Sequence, residues 1–215
     1  MEWTENVIIV DADYADRVAF DLTVNFERML ERRVPPADMA RWVECIALDG
    51  GLRGTDHQVQ VVLVHDEHSQ RMENFLPSRF DELHGQAFSG ALGEFLFTAV
   101  SAEGMVSREQ LLLDVLNLVC DQPAVRRLMV VPSDDAFASV RAALSRTGAN
   151  ADNKGSEAVM RQVTLFTMQP SVPPTFGRTA TGQQVDFSTL GFSLLSALGI
   201  NADEIDRKLR SDDRF

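Results

Sequence analysis

Acidic residues follow two strongly apolar segments of the sequence, where they could converge on one site. The segment VIIV runs directly into Asp11 and Asp13, and the segment LMVV is followed after two residues by Asp134 and Asp135. If these segments are neighbouring parallel strands, they lie about 4.8 Å apart and their carboxyl ends share one edge of the sheet. Converging carboxylates repel each other unless a cation joins them, and all-oxygen sites favour hard ions such as Mg²⁺ or Mn²⁺. Such an ion orients a phosphate and activates a bound water, so the pattern predicts phosphoryl or phosphodiester chemistry.

A third candidate ligand, Asp114, lies within an otherwise apolar segment of helical periodicity. Polar residues recur there at positions that form one narrow stripe: Ser107, Gln110, Asp114, Asn117 and Asp121. A helix that is apolar over most of its surface is largely buried. The carboxylate of Asp114 therefore either faces solvent along the stripe or points toward the acidic strand ends.

The other acidic residues also have structural explanations. Asp134 and Asp135 occupy the expected first turn of a helix, where the helix dipole favours acidic side chains whatever the function. Asp13 can cap the helix that follows it or shape the turn. The metal-site hypothesis depends on their joint placement, because the acids recur at the two positions where an open parallel sheet binds ligands.

Other familiar chemistries lack their motifs. The sequence has no GxSxG nucleophile elbow, no Walker loop and no GxGxxG segment. Cys45 and Cys120 form neither a CxxC pair nor a Cys/His cluster, so structural zinc is not expected. Four arginines in the first two expected helices offer candidate phosphate contacts: Arg28, Arg32, Arg33 and Arg41.

The composition indicates a globular protein with an acidic surface. The 215 residues are 45% hydrophobic, enough for a sizeable core, and the net charge of −12 disfavours non-specific binding to nucleic acid or an anionic membrane. Only Lys154 and Lys208 are lysines, so a basic patch for RNA has to be built from arginine. The first residues, MEWTENVIIVDAD, have no cationic start and only four consecutive apolar residues. We therefore expect a cytoplasmic protein with neither a signal peptide nor a membrane span.

The spacing of apolar residues predicts an α/β fold. Helical periodicity appears twice after the first apolar run, and again after Ser107 and after Ser133. Strands separated by helices imply parallel crossovers, so we expect a three-layer sandwich with a mostly parallel, five-stranded central sheet. The predicted strands are Val7 to Val10, Val59 to Val64, Glu94 to Val100, Leu128 to Val131 and Gln162 to Met168.

The predicted α/β domain covers residues 1–168 and contains one irregular region. Residues 65–90 are polar, are broken by Pro77, Gly85 and Gly90, and have no clear period. We predict an insertion there, with a short helix near residues 79–83. Its role as a lid, a recognition loop or packing filler is left open by the sequence.

Residues 169–215 form a distinct C-terminal part. The segment PSVPPTFGRTATGQQ predicts an extended arm. Asn201 and Glu204 form a capping box before a short charged helix. An apolar stripe at helical spacing precedes that box, and it needs a surface to cover it, either the chain's own domain or a second subunit in a homodimer. The stripe consists of Phe187, Leu190, Leu194 and Leu198.

The order of elements and the acidic strand ends resemble the PIN-like nuclease fold, in particular its NYN branch. In that branch the first strand ends in Asp, here VIIVDADY, and a long helix with an Asp precedes a strand that runs into an acidic turn, here SREQLLLDVLNLV and MVVPSDDAFASVRAAL. The resemblance implies metal-dependent cleavage of RNA. By that resemblance Asp11, Asp114, Asp134 and Asp135 would hold Mg²⁺ or Mn²⁺, and the pattern of acidic strand ends adds Asp13 to these ligands. Asp11 and Asp134 are the expected catalytic residues.

The sequence departs from the pattern of that family at three places. Arg108 stands where the family helix carries an earlier acid, Tyr14 stands where an Asn often follows the first Asp, and the acids of the late turn are adjacent rather than separated by one residue. These departures give an alternative hypothesis, a PIN-like fold that has lost catalysis and acts as an interaction module through its tail. The chain as a whole also resembles a bacterial family to which no activity is attached.

A third hypothesis is a haloacid-dehalogenase-type phosphatase. These enzymes also begin with a strand that runs into Asp-x-Asp, matched by Asp11 and Asp13, and a later strand ends in Thr or Ser, matched by Thr98. Their late acidic pair is matched by Asp134 and Asp135.

Overall fold

Helices and strands alternate along the chain. A computed structural model describes residues 2–104, 106–151, 161–168, 177–178 and 184–212. The strands are β1 (Asn6–Asp11), β2 (Ala37–Asp38), β3 (His57–His65), β4 (Phe75–Leu76), β5 (Ala87–Gly90), β6 (Gly93–Ser101), β7 (Arg127–Val131), β8 (Gln162–Thr167), β9 (Gly177–Arg178) and β10 (Gln184–Thr189). The helices are α1 (Ala12–Leu30), α2 (Met39–Asp49), α3 (Phe80–Leu83), α4 (Arg108–Cys120), α5 (Asp134–Ala151), α6 (Gly191–Ala197) and α7 (Ala202–Asp212).

The described strands form one large sheet and a small two-stranded one. The large sheet has the order β5-β6-β3-β1-β7-β8-β10-β9, and β2 pairs with β4. Its six inner strands are parallel, while β5 and β9 pair antiparallel at the edges. Numbered along the chain, the parallel strands lie in the order third, second, first, fourth, fifth, sixth. The order reverses between β1 and β7, and doubly wound sheets bind ligands at the carboxyl edge of such a reversal.

Helices cover both faces of the sheet, and β1 is buried between them. Ile8 and Val10 belong to the apolar core under α1, α2 and α6, whereas Val7 and Ile9 belong to the core under α4 and α5. A strand covered on both faces has no polar side, which explains the unbroken β-branched run of this segment. The predicted α/β class with a mostly parallel central sheet is confirmed.

All five predicted strands are present, as β1, β3, β6, β7 and β8. The predicted number of five is nevertheless too small, because β10 adds a parallel strand beside β8 and the sheet continues past residue 168. The sequence predicts that Phe187 belongs to the apolar stripe of a helix. In the structure it lies in β10, in register with Leu165. The three-residue spacing from Phe187 to Leu190 predicts a helix that starts too early, because α6 begins only at Gly191.

The region of residues 65–90 is more regular than expected. The short helix predicted near residues 79–83 is present as α3, and β4 and β5 lie on either side of it. β5 pairs with β6 at the edge of the large sheet. The strand has only four residues with a weak alternation of exposure, so its period was too short to detect.

The C-terminal helices pack on the α/β part of the chain. Leu194 and Leu198 are buried in the core shared with α2. Of the predicted capping box, one half is observed: the Glu204 backbone N–H donates a 2.8 Å hydrogen bond to the Asn201 side chain, whereas the Glu204 carboxylate binds Arg32. Most of the expected extended arm lies outside the described residues. Among the described helices, none combines the length and apolarity needed to cross a bilayer.

Candidate functional site

The carboxyl edge of three neighbouring strands brings acidic side chains together. β1 ends at Asp11, β3 is followed at once by Asp66, and β7 leads through two residues into Asp134 at the start of α5. β1 lies between β3 and β7 in the sheet, so these three chain segments converge at the reversal of strand order. The site was predicted at this edge.

Asp11 is a buried helix cap. Its side chain is 2% exposed and accepts a 3.0 Å hydrogen bond from the backbone N–H of Tyr14, which satisfies one of the free donors at the start of α1. Burial raises the pKa of Asp11 above its ordinary value, and the positive charge of Arg108 opposes that rise. A carboxylate in this position is expensive to keep ionised without a cation beside it.

Asp13 links α1 to the end of β3. Its Oδ2 atom accepts a 2.8 Å hydrogen bond from the backbone N–H of Asp66, so the turn after β3 is fixed to the first turn of α1. The same oxygen lies 3.2 Å from Nη1 of Arg108.

Arg108 lies at the centre of these carboxylates. It is the first residue of α4, whose N-terminus is capped by Ser107. Its Nε atom lies 3.0 Å from Oδ1 of Asp11, and its Nη1 atom lies 3.2 Å from Asp13 and 3.5 Å from Asp66. Burial lowers the pKa of this guanidinium, but the surrounding carboxylates outweigh that effect and raise it overall. Arg108 therefore supplies a fixed positive charge within the acidic group.

Asp134 is joined to the group by Tyr14. Its Oδ1 atom accepts a 2.8 Å hydrogen bond from the phenol of Tyr14, which is 1% exposed. Burial, followed by the contact with Asp134, raises the pKa of Tyr14 well above its usual range, so the phenol stays a proton donor. The guanidinium of Arg17 lies 5.4 Å from the centre of the same ring. The phenol thus spans the reversal point between the ends of β1 and β7.

The remaining two predicted ligands face solvent. Asp135 is exposed in the first turn of α5. Asp114 is exposed on α4 and accepts a 2.8 Å hydrogen bond from Gln110 one turn earlier. Within the part of the chain that the structure describes, no group of three or more His, Cys, Asp or Glu side chains is arranged to hold a metal ion.

The sequence pattern did not identify Asp66 as part of the site. It identified Arg108 and Tyr14 only as departures from the PIN-like pattern. Asp66 obeys the same rule as Asp11, because it directly follows a parallel strand. It was overlooked because residues 65–90 were set apart as an insertion. Of the arginines suggested for phosphate contact, Arg32 and Arg33 are instead paired with Glu204 and Glu27.

Comparison with known proteins gives one match. No curated protein and no solved structure matches the chain. A family profile matches residues 1–205, and its description is a family of unknown function, DUF6621. Because the match covers nearly the whole sequence, the chain belongs to the DUF6621 family.

Proposed function

We propose that the protein is a non-catalytic interaction module built on a PIN-like fold. One observation carries this proposal: the guanidinium of Arg108 lies within 3.5 Å of the carboxylates of Asp11, Asp13 and Asp66. In this chain a protein cation occupies the position that the resemblance assigns to a metal ion. The order of the six parallel strands from β6 to β10 is that of a doubly wound sheet.

The chemistry of the donor set does not fit a divalent ion. A hard cation needs several carboxylate oxygens with free lone pairs. Here Oδ1 of Asp11 and Oδ2 of Asp13 each contact both a backbone N–H group and Arg108. Asp134 is engaged by Tyr14. Binding of Mg²⁺ or Mn²⁺ has to displace a charged side chain that the same carboxylates stabilise.

Metal titration tests the proposal directly. Calorimetry with Mn²⁺ on the metal-free protein is expected to give no saturable heat up to millimolar metal, and the protein is expected to leave single-stranded RNA intact. In Arg108→Ala, which frees the carboxylates, weak Mn²⁺ binding is expected. The double variant Arg108→Ala, Asp11→Asn should lose that binding again.

A metal-dependent ribonuclease is the second candidate. The observation in its favour is the convergence of Asp11, Asp13, Asp66 and Asp134 at the edge where the fold binds ligands. Under this candidate Asp11 and Asp134 are the catalytic residues. Saturable Mn²⁺ binding by the unmodified protein, together with RNA cleavage that is lost in Asp11→Asn, Asp134→Asn, would establish it and overturn the non-catalytic proposal.

The phosphatase hypothesis gains no specific support. Thr98 lies in the middle of β6, two strands away from β1, and is 7% exposed. Its hydroxyl oxygen lies 3.4 Å from the amide nitrogen of Gln60.

A further inference from the structure

The C-terminal helices enclose a cleft on the surface of the protein. Its volume is about 420 Å³, and it lies between α2, α6 and α7. The apolar part of its lining is mainly aliphatic, with Ile200 buried and Leu195 and Ile205 partly buried against the core. The residues of this cleft are Arg41, Phe192, Leu195, Ser196, Gly199, Ile200, Asn201, Ala202 and Ile205.

Phe192 is the exposed aromatic residue at this cleft. Its side chain is 82% exposed, more than any other large apolar residue in the described part of the chain. A single exposed apolar residue is ordinary. An aromatic side chain beside an apolar cavity with a polar rim, however, is the arrangement found in protein–protein interfaces. Aromatic residues of this kind contribute a large share of binding energy once a partner covers them.

Arg41 supplies a positive charge to the same cleft. Its Nε atom donates a 3.1 Å hydrogen bond to Oγ of Ser196, which ties the guanidinium to α6. Across the described ranges, the two terminal nitrogens of Arg41 have no carboxylate within ion-pair distance. A guanidinium held in this way presents parallel N–H groups that match a carboxylate.

We propose that the cleft is a docking site for a segment of a partner protein that places an aliphatic or aromatic side chain in the cavity and a carboxylate against Arg41. The charge of Arg41 selects the acidic group, and the aliphatic lining selects the apolar one. Phe192 lines the cleft but is 82% exposed, so a ligand confined to the cavity covers only part of its ring, whereas a peptide segment extends over the rim and covers the rest. These features favour a protein segment over a small molecule.

We base this site on the proposed function, because an interaction module needs a surface through which it binds. The proposed function and the docking site rest on different residues, because the first depends on Arg108 and the second on Arg41 and Phe192. If no peptide binds, the docking proposal fails, and the result of the metal titration is unaffected. If the protein cleaves RNA in a metal-dependent way, the non-catalytic function is excluded. The peptide-binding result then still decides whether the cleft is a docking site.

Selection from a random 12-residue peptide library displayed on phage, with the full chain as target, tests the proposal. Enriched sequences are expected to carry Asp or Glu within a few residues of Leu, Ile, Phe or Trp. A synthetic, fluorescently labelled copy of an enriched peptide is then titrated by anisotropy. Its Kd should rise at least about tenfold in Arg41→Gln and in Phe192→Ala.

Matched variants separate this site from general effects. Arg146→Gln makes the same change of charge on α5, on the opposite face of the sheet, and Phe20→Ala removes an exposed aromatic residue of α1 that does not line the cleft. Both should bind the peptide as the unmodified protein does. Thermal unfolding of all four variants verifies that they are folded.

Four outcomes overturn the proposal. They are a selection that enriches no peptide, enriched peptides without acidic residues, and peptide binding unchanged in Arg41→Gln. The fourth is that another occupant takes the cleft. Saturable binding of decanoate lost in Arg41→Gln would assign it to a small apolar carboxylate, and a concentration-dependent dimer abolished by Phe192→Ala would assign it to a second copy of the chain.

Discussion

The Nε atom of Arg108 lies 3.0 Å from Oδ1 of Asp11, and this ion pair joins the first residue of α4 to the last residue of β1. Asp11 is almost fully buried, whereas the side chain of Arg108 is 27% exposed. The pair therefore places a cation that reaches in from the surface beside a buried acid. The same guanidinium lies near Asp13 and Asp66, so one side chain balances the charge where three segments of the chain meet.

Removal of that cation is expected to destabilise the protein. Arg108→Ala leaves the carboxylate of Asp11 buried without a cation beside it, and breaking a buried ion pair in this way costs about 3–5 kcal/mol. Because Arg108 is partly exposed, we expect a loss of about 2 kcal/mol in the free energy of unfolding. Urea denaturation at pH 7 measures it, and Arg146→Ala on α5 is the control with the same change of charge.

The loss of unfolding free energy in Arg108→Ala should also depend on pH. Burial already raises the folded-state pKa of Asp11, and loss of the arginine raises it further. A raised carboxyl pKa gives stability that is present below the unfolded pKa and is lost as the pH rises through the folded pKa. The difference between variant and unmodified protein should therefore be smaller at pH 5 than at pH 7. An equal difference at both values would show that loss of Arg108 does not raise the pKa of Asp11 into this range.

The hydrogen bond between Tyr14 and Asp134 provides a second test of the contacts at the carboxyl edge of the sheet. Tyr14→Phe removes the phenol that donates to Asp134, at a buried ring whose packing stays the same. The acceptor is exposed and regains water, so we expect a loss of only about 1 kcal/mol in unfolding free energy. A double-mutant cycle with Asp134→Ala isolates the pair, and a coupling energy of zero would show that the hydrogen bond contributes nothing.

The inner part of the sheet was predictable from the sequence because burial on both faces leaves a strong pattern. The run VIIV has no polar face to interrupt it, and Asp11 marks its end because the chain must turn there. β10 was not predictable in the same way. Its sequence QVDFST alternates polar and apolar residues, which is compatible with a strand, but the spacing of Phe187 and Leu190 also fits a helix.

The location of the candidate site was predictable, but the balance of its charges was not. Strand ends and acidic residues are local features, so Asp11, Asp13 and Asp134 were found at the correct edge. The partner of these acids comes from the start of α4, and nothing local to Arg108 indicates which carboxylate it reaches. The direction of a long side chain depends on how the helix packs, which is a property of the fold.

Arg161 gives a prediction about a helix end that the sequence did not reveal. Its guanidinium donates three hydrogen bonds of 2.8 to 2.9 Å to the backbone oxygens of Val125, Cys120 and Gln122, at and just beyond the C-terminus of α4. Arg161→Lys keeps the charge but cannot reach all three acceptors, because an ammonium lacks the planar fork. We expect a loss of about 1–2 kcal/mol in unfolding free energy, measured by urea denaturation. Arg146→Lys, on an exposed face of α5, should change nothing, and equal effects of the two substitutions would contradict the capping role.

The docking of α7 should respond to charge and to pH. Arg32 donates hydrogen bonds of 2.6 and 2.7 Å to the two oxygens of Glu204, and this contact ties α7 to the residues that follow α1. The hydrogen bond from Arg32 lowers the pKa of Glu204, so its contribution is present above the ordinary value of 4.5 and is lost as the pH falls through the lowered one. Glu204→Gln should therefore increase the amide hydrogen exchange of α7 at pH 7, and 1 M NaCl should increase it in the unmodified protein. Asp206→Asn makes the same change of charge at an exposed position of the same helix and should leave exchange unchanged. If the two variants exchange alike, the ion pair does not hold α7 in place.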